Sequence, residues 1–144
     1  MRDHYVEFVH CTPMNIGLDM MGGDYAPLEA VKGVAQYIQE NSSLVSLTLV
    51  GDQSSLEPLI AEHKIPSNRV RIIHSEQEIG MDEHPTKALK EKQQSSIAIG
   101  FHLLATGKTD AFISAGNTGA MLVGALFSIK ALEGVLANHF YYYP

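Results

Sequence analysis

DAFISAGNTGAMLVGA, Asp110–Ala125, joins three kinds of sequence in sixteen residues. Ala111-Phe112-Ile113 is a short apolar run of strand character. Ser114-Ala115-Gly116-Asn117 is small and polar, as a sharp turn requires. From Asn117 the apolar residues recur at helical spacing, predicting a last helix over 117–132, with Asn117 or Thr118 as its N-cap. A strand running through a tight loop into a helix is half of a βαβ unit. The fold class depends on whether the rest of the chain repeats it.

It does so three more times. Met14-Asn15-Ile16-Gly17-Leu18-Asp19-Met20 reads as a buried strand closed by Gly22-Gly23. Pro27–Glu40 places Leu28, Val31, Ala35 and Ile38 at helical spacing, with Pro27 suited to the first turn. Residues 44–52 form a second strand ending at Gly51-Asp52. A short helix follows over 54–64, in which Pro58 predicts a late start or a kink. Asn68–Ser75 is β-branched and alternating, a third strand. After the polar loop 76–85, a single long helix is expected from Pro85 to Thr106, stopped by Gly107. Strand and helix alternate throughout, which predicts an α/β fold: a parallel sheet flanked by helices on both faces.

The 144 residues suffice for one domain with a core. Hydrophobic content of 45% and charged content of 18% are those of an ordinary globular chain. A formal charge of −6 argues against nucleic acid as a partner through bulk charge. No apolar run approaches the roughly 20 residues of a membrane-spanning helix, and the first residues lack the apolar core of a secretory signal. A single cysteine, Cys11, leaves no internal disulfide and fits a cytoplasmic location. Residues 1–13 read as an extension ahead of the first strand, with Met14 a plausible natural start. Residues 136–144, ending in Tyr141-Tyr142-Tyr143-Pro144, follow no periodicity and suggest truncation or a shifted frame.

In parallel α/β sheets ligands bind beyond the C-terminal strand ends. That rule selects four loops: 19–27, 51–55, 74–85 and 114–120. None carries a nucleotide-type glycine motif. His74, His84 and His102 lack metal-ligand spacing, so no metal site is expected. Asp19 and Asp24 lie in the first of these loops, Asp52 in the second and Asp82 in the third, and turn chemistry accounts for them. Ser114 has no nucleophile-elbow context. The 114–120 loop, by contrast, precedes a helix whose first turn offers unpaired N–H donors and the positive dipole end, which suits an anion. A capped turn with nothing bound accounts for the same residues. On one continuous helix, Lys92 would share a face with Ser96 and lie three from Ser95, a point charge with two hydroxyls able to hold phosphate. A solvated flank is the alternative.

Taken together, IGLDMMGGDYAP (16–27), LVGD (49–52), MDEHPTKALKEKQQSS (81–96) and DAFISAGNTGA (110–120) resemble, in order and spacing, the acyl-ACP:phosphate acyltransferase family of phospholipid synthesis (PlsX). The resemblance covers residues 14–135, read as the N-terminal part of the acyltransferase domain. It implies a three-layer α/β/α sandwich and transfer of a fatty acyl group from acyl carrier protein to inorganic phosphate, giving acyl phosphate without an organic cofactor. It further implies a cytoplasmic homodimer with peripheral membrane association. Lys92, Asn117 and Asp24 become the expected catalytic residues. Gly22, Gly23, Ser95, Ser96, Ser114, Gly116, Thr118 and Gly119 become the expected phosphate- and substrate-binding residues. Such a site needs anion donors and an oxyanion cradle, not a protein nucleophile.

Two departures accompany the likeness. The family is more than twice this length, and its second half completes the sheet, the dimer contact and the membrane-docking helices. Gln93 and Gln94 replace a basic and an acidic residue usual there, which weakens carrier docking on that helix; the basic face that an acidic carrier needs falls to Lys87, Lys90, Lys92 and Lys108 or, equally, to the family's second half. The rival readings are a truncated non-catalytic chain and a small phosphate-binding module. A sheet lacking neighbours leaves an edge uncovered, so the chain alone is expected to be marginal as a monomer.

Overall fold

The computed structural model describes residues 14–41 and 45–130. The expected extension 1–13 and tail 136–144 lie outside them. Strands β1 (Asn15–Asp19), β2 (Ser46–Gly51), β3 (Val70–His74) and β4 (Ala111–Ile113) alternate with helices α1 (Leu28–Glu40), α2 (Gln53–Glu62), α3 (Pro85–Glu91), α4 (Ser96–Ala105) and α5 (Thr118–Ser128). The four strands form one sheet in the order β3-β2-β1-β4, and every pairing is parallel. Ile16 stands opposite Leu47 on one side and Ala111 on the other, so β1 is central. All four strands therefore end on the same side, at Asp19, Gly51, His74 and Ile113. The expected α/β fold with a helix-flanked parallel sheet is what forms, as part of an α/β/α sandwich.

The sheet separates two cores. On one face α1 and α2 bury Val31, Val34, Ala35 and Leu56 against Leu47 and Leu49. On the other, Ile79, Ala88, Ile97, Phe101 and Ala120 pack with Phe112 beneath α3, α4 and α5. The Phe101 and Phe112 rings meet edge to face with centroids 5.5 Å apart, a favoured aromatic geometry. Close packing depends on Gly100, where an added Cβ would fall 2.1 Å from two atoms of the Phe112 ring.

Two sequence expectations are corrected. The long helix over 85–106 is two helices, α3 and α4, interrupted at Lys92–Ser95. Ser95 is extended and its hydroxyl accepts from the Ala98 amide, so it opens a new helix in place of continuing the old one. The interruption is held from outside: Gln77 N–H donates to the Gln94 carbonyl, and Gln94 N–H to Gln77 Oε1. Lys92 thus caps α3 and does not share a helical face with Ser96. The second correction is in α2, which starts at Gln53 with Pro58 inside it, ahead of the late start that Pro58 suggested. Asp52 fixes that start, accepting from the amides of Ser54 and Ser55. Among the described residues, no helix is long and apolar enough to cross a membrane.

Candidate active site

The loops after β1 and β4 meet at the C-terminal ends of their strands. Asp19, the last residue of β1, is only 6% exposed. Its Oδ1 accepts from the Met21 amide at 2.9 Å and its Oδ2 from the Ser114 hydroxyl at 2.7 Å. Ser114 Oγ in turn accepts from the Gly116 amide at 2.9 Å. This chain of bonds latches two loops 95 residues apart in sequence. The loops touch where neither has a side chain: a Cβ on Gly22 would lie 2.6 Å from the Gly116 nitrogen. Gly23 takes φ +100°, a left-handed conformation that favours glycine.

Beside the latch opens a cavity of about 520 Å³ lined by Gly22, Gly23, Asp24, Ser114 and Ala115, with Leu18, Val34, Tyr37 and Ile113 as its apolar walls. Asp24 is exposed and makes no hydrogen bond among the described residues. Polar backbone and a carboxylate at one end, with hydrocarbon at the other, suit a ligand that is itself part polar and part apolar.

The fourth loop also reaches the third. Asn117, 5% exposed, caps α5 by accepting from the Ala120 amide at 2.9 Å. Its Nδ2 donates to the carbonyls of Gly80 at 2.9 Å and Glu83 at 3.1 Å, with Met81 farther at 3.4 Å. Two protons serve three acceptors, so the two shorter bonds dominate. The start of α5 lies tight against α3: a Cβ on Gly119 would fall 2.3 Å from Pro85 Cγ. The amides of Thr118 and Gly119 have no hydrogen-bond acceptor among the described residues, leaving donors at the positive end of the helix.

Lys92 lies in this second cluster. Its ammonium contacts Glu83 Oε1 at 2.5 Å and the Glu78 carbonyl at 2.9 Å. The hydrogen bond from Lys92, then the Gly80 amide and the lysine's charge, hold the Glu83 carboxyl below its ordinary range.

The sequence-predicted residues therefore fall into two connected groups. Gly22, Gly23, Asp24, Ser114 and Gly116 converge on the first and fourth loops. Asn117, Thr118, Gly119 and Lys92 join the fourth loop to the third. Ser95 and Ser96 are buried at 0% and 2% exposure and do not line the cavity. The Gly116 amide, expected as a ligand donor, is taken by Ser114. Sequence reasoning missed Asp19 as the latch and Glu83 as the lysine's partner. A carboxylate closing an apolar strand, immediately before paired glycines, was the available signal for Asp19.

Comparison with known proteins gives a consistent result. Residues 14–140 match the family model described as "Fatty acid synthesis protein". The chain is 41% identical over 122 residues to the phosphate acyltransferase of Dictyoglomus turgidum, a match covering 85% of this chain and 36% of that protein. It is 43% identical over 120 residues to the phosphate acyltransferase of Streptococcus agalactiae serotype III, covering 83% of this chain and 35% of the relative. The phosphate acyltransferase of Caldicellulosiruptor bescii is 38% identical over 122 residues. The chain thus spans little more than a third of the length of the curated relatives it matches.

Proposed function

The chain belongs to the fatty acid synthesis protein family, and from that premise we propose that it is the N-terminal, phosphate-binding part of an acyltransferase that moves a fatty acyl group from acyl carrier protein to inorganic phosphate. The observation that carries this reading is the latched junction of the β1 and β4 loops. It is a glycine-walled strand-end site that opens onto an apolar cavity, and its β4 loop runs directly into the start of α5.

In this reading the phosphate anion sits against the amides of Thr118 and Gly119, where the α5 dipole favours negative charge. A phosphate oxygen attacks the thioester carbonyl, the C–S bond breaks, and the carrier leaves as its thiol. Acyl phosphate is the product. No protein nucleophile is needed; the site contributes orientation and stabilisation of the oxyanion. Gly22 and Gly23 let the substrate approach backbone closely. Lys92 exchanges Glu83 for phosphate as its counter-charge, and Asp24 borders the entrance. Ser95 and Asn117 act by position, fixing the starts of α4 and α5. Acyl carrier protein is the donor, and the exposed Lys87, Lys90 and Lys108 are suited to its acidic surface. The complete enzyme is a cytoplasmic homodimer that associates peripherally with membrane.

A chimera tests this. Residues 14–135 of this chain replace the matching segment of the Dictyoglomus turgidum protein. The chimera is then supplied with acyl-carrier thioester and phosphate, and product is trapped with hydroxylamine. Phosphate-dependent acyl hydroxamate is expected. A folded chimera that forms none, beside an active parent, would refute the proposal.

A further inference from the structure

The 520 Å³ cavity beside the latch changes character along its length. Its floor is the sheet, with Leu18, Ile113 and Leu47. Leu47 stands opposite Ile16, three residues before Asp19 and so about 10 Å from the strand end. The facing wall is α1, which runs back from the strand ends and contributes Ala30, Gly33, Val34 and Tyr37. From Ala30 to Tyr37 the helix also covers about 10 Å, so floor and wall form an apolar slot of matched depth. The mouth is acidic. Asp19, Asp24 and Glu29 line it, and no lysine, arginine or histidine does. Among the described residues only Glu29 of these three has a cationic partner, Lys32 at 2.7 Å. An anionic head group is disfavoured at such a mouth, and an uncharged one is not. The larger cavity, about 670 Å³ between α3, α4 and α5, touches neither latched loop and carries Lys90 and His102 instead.

We infer that the cavity beneath α1 is the acyl-chain subsite of the proposed transfer, built for a neutral thioester and against a free fatty acid, with Gly33 setting the length of chain it admits. The thioester carbonyl lies at the latch, beside Gly22, Gly23 and Ser114, and the hydrocarbon runs inward between Leu18 and Ala30. Phosphate is held at the start of α5, whose residues do not line the cavity, so the subsite has no anion to accommodate. Gly33 lies midway along α1, where an added Cβ meets nothing within 4 Å. A side chain there shares a helix face with Ala30 and Tyr37 and enters the slot. Short chains end before it, and long ones have to pass it. The nature of the ligand rests on the acyl-transfer reading, but its place and length limit can be measured without turnover.

The test is calorimetric titration of this chain with the N-acetylcysteamine thioesters of hexanoate and dodecanoate, and with dodecanoate itself, alongside amide resonances of the labelled protein. The dodecanoyl thioester should bind saturably and shift Ala30, Val34 and Leu47. Dodecanoate should bind at least roughly tenfold more weakly, since its carboxylate meets Asp19 and Asp24 with no cation beside them. Gly33→Leu should fold, because its Cβ has open space and leucine favours a helix. It should weaken the dodecanoyl thioester about tenfold or more by displacing two or more methylenes, and leave the hexanoyl thioester within about twofold. In the chimera the same substitution should reduce transfer from the dodecanoyl carrier and spare the hexanoyl one. Absence of dodecanoyl binding overturns the inference, as does dodecanoate binding as tightly as its thioester. So does a Gly33→Leu effect equal for both lengths, or loss of binding on Phe127→Ser, which would put the chain in the larger cavity. A chimera whose dodecanoyl transfer ignores Gly33→Leu also overturns it and leaves the transfer reading standing. A chimera without transfer, beside length-selective binding by this chain, refutes the transfer reading and supports the subsite.

Discussion

Replacing Gly22 with alanine examines the contact on which the candidate site is built. The new Cβ would lie 2.6 Å from both Asp19 Oδ2 and the Gly116 nitrogen, and 2.9 Å from Gly116 Cα. Two of these atoms are backbone and the third belongs to a buried, hydrogen-bonded carboxylate, so nothing can swing aside. The loops must part, and the Ser114–Asp19 bond lengthens with them. Overpacking of this kind costs about 1–3 kcal/mol. For a domain of this size, unfolding should shift down by roughly 3–12 °C. Gly33→Ala is the matched control. Its Cβ meets no atom within 4 Å, and alanine inside a helix gains about 0.5–1 kcal/mol over glycine. Thermal unfolding followed by circular dichroism should move in opposite directions for the two variants. A Gly22→Ala protein melting at or above the parent would refute the close-contact reasoning. So would a Gly33→Ala protein destabilised to the same degree.

Three further outcomes follow from the same geometry. Gly100→Ala should lower stability by about 1–3 kcal/mol through collision with Phe112, and Phe112→Leu in that background should restore part of the loss, measured as a double-mutant cycle in denaturant. Asn117→Ala should cost about 2 kcal/mol or more, because it removes the α5 cap, takes the Glu83 carbonyl's donor and leaves the Gly80 carbonyl only its longer bond from the Glu83 amide; urea midpoints would show it. Asp52 has its carboxyl lowered from 3.8 to about 2 by the hydroxyls of Ser55 and Ser54. Its folded value is the lower one, so its stabilisation is fully present above 3.8 and is lost as pH falls through about 2. The stability gap between the parent and Asp52→Asn should close across that window and stay constant above it.

The layered architecture was legible because each strand is an apolar run ended by a turn residue and each helix carries its own period. The α4 start was not. Gln93-Gln94 contains no breaker, and the break there is held by contact with the distant Gln77. Ser95 carried a capping signal, but a serine within a helical pattern is ambiguous until its neighbours in space are known. The same distinction divides the site. Asn117 as an N-cap is a local property and could be read from the loop. Its bonds to Gly80 and Glu83, the Asp19–Ser114 latch and the Lys92–Glu83 pair all join residues from different loops or helices. Those contacts follow from the order in which the strands assemble, which no local pattern displays.

The central claim is that phosphate binds where the β1 and β4 loops meet the start of α5. Titration of inorganic phosphate into the isotopically labelled chain, followed by amide resonances, tests it most directly. Saturable shifts at Gly22, Gly23 and the segment Ser114–Gly119 are predicted. Shifts confined to the exposed lysines Lys87, Lys90 and Lys108, or no saturable response at all, would contradict it.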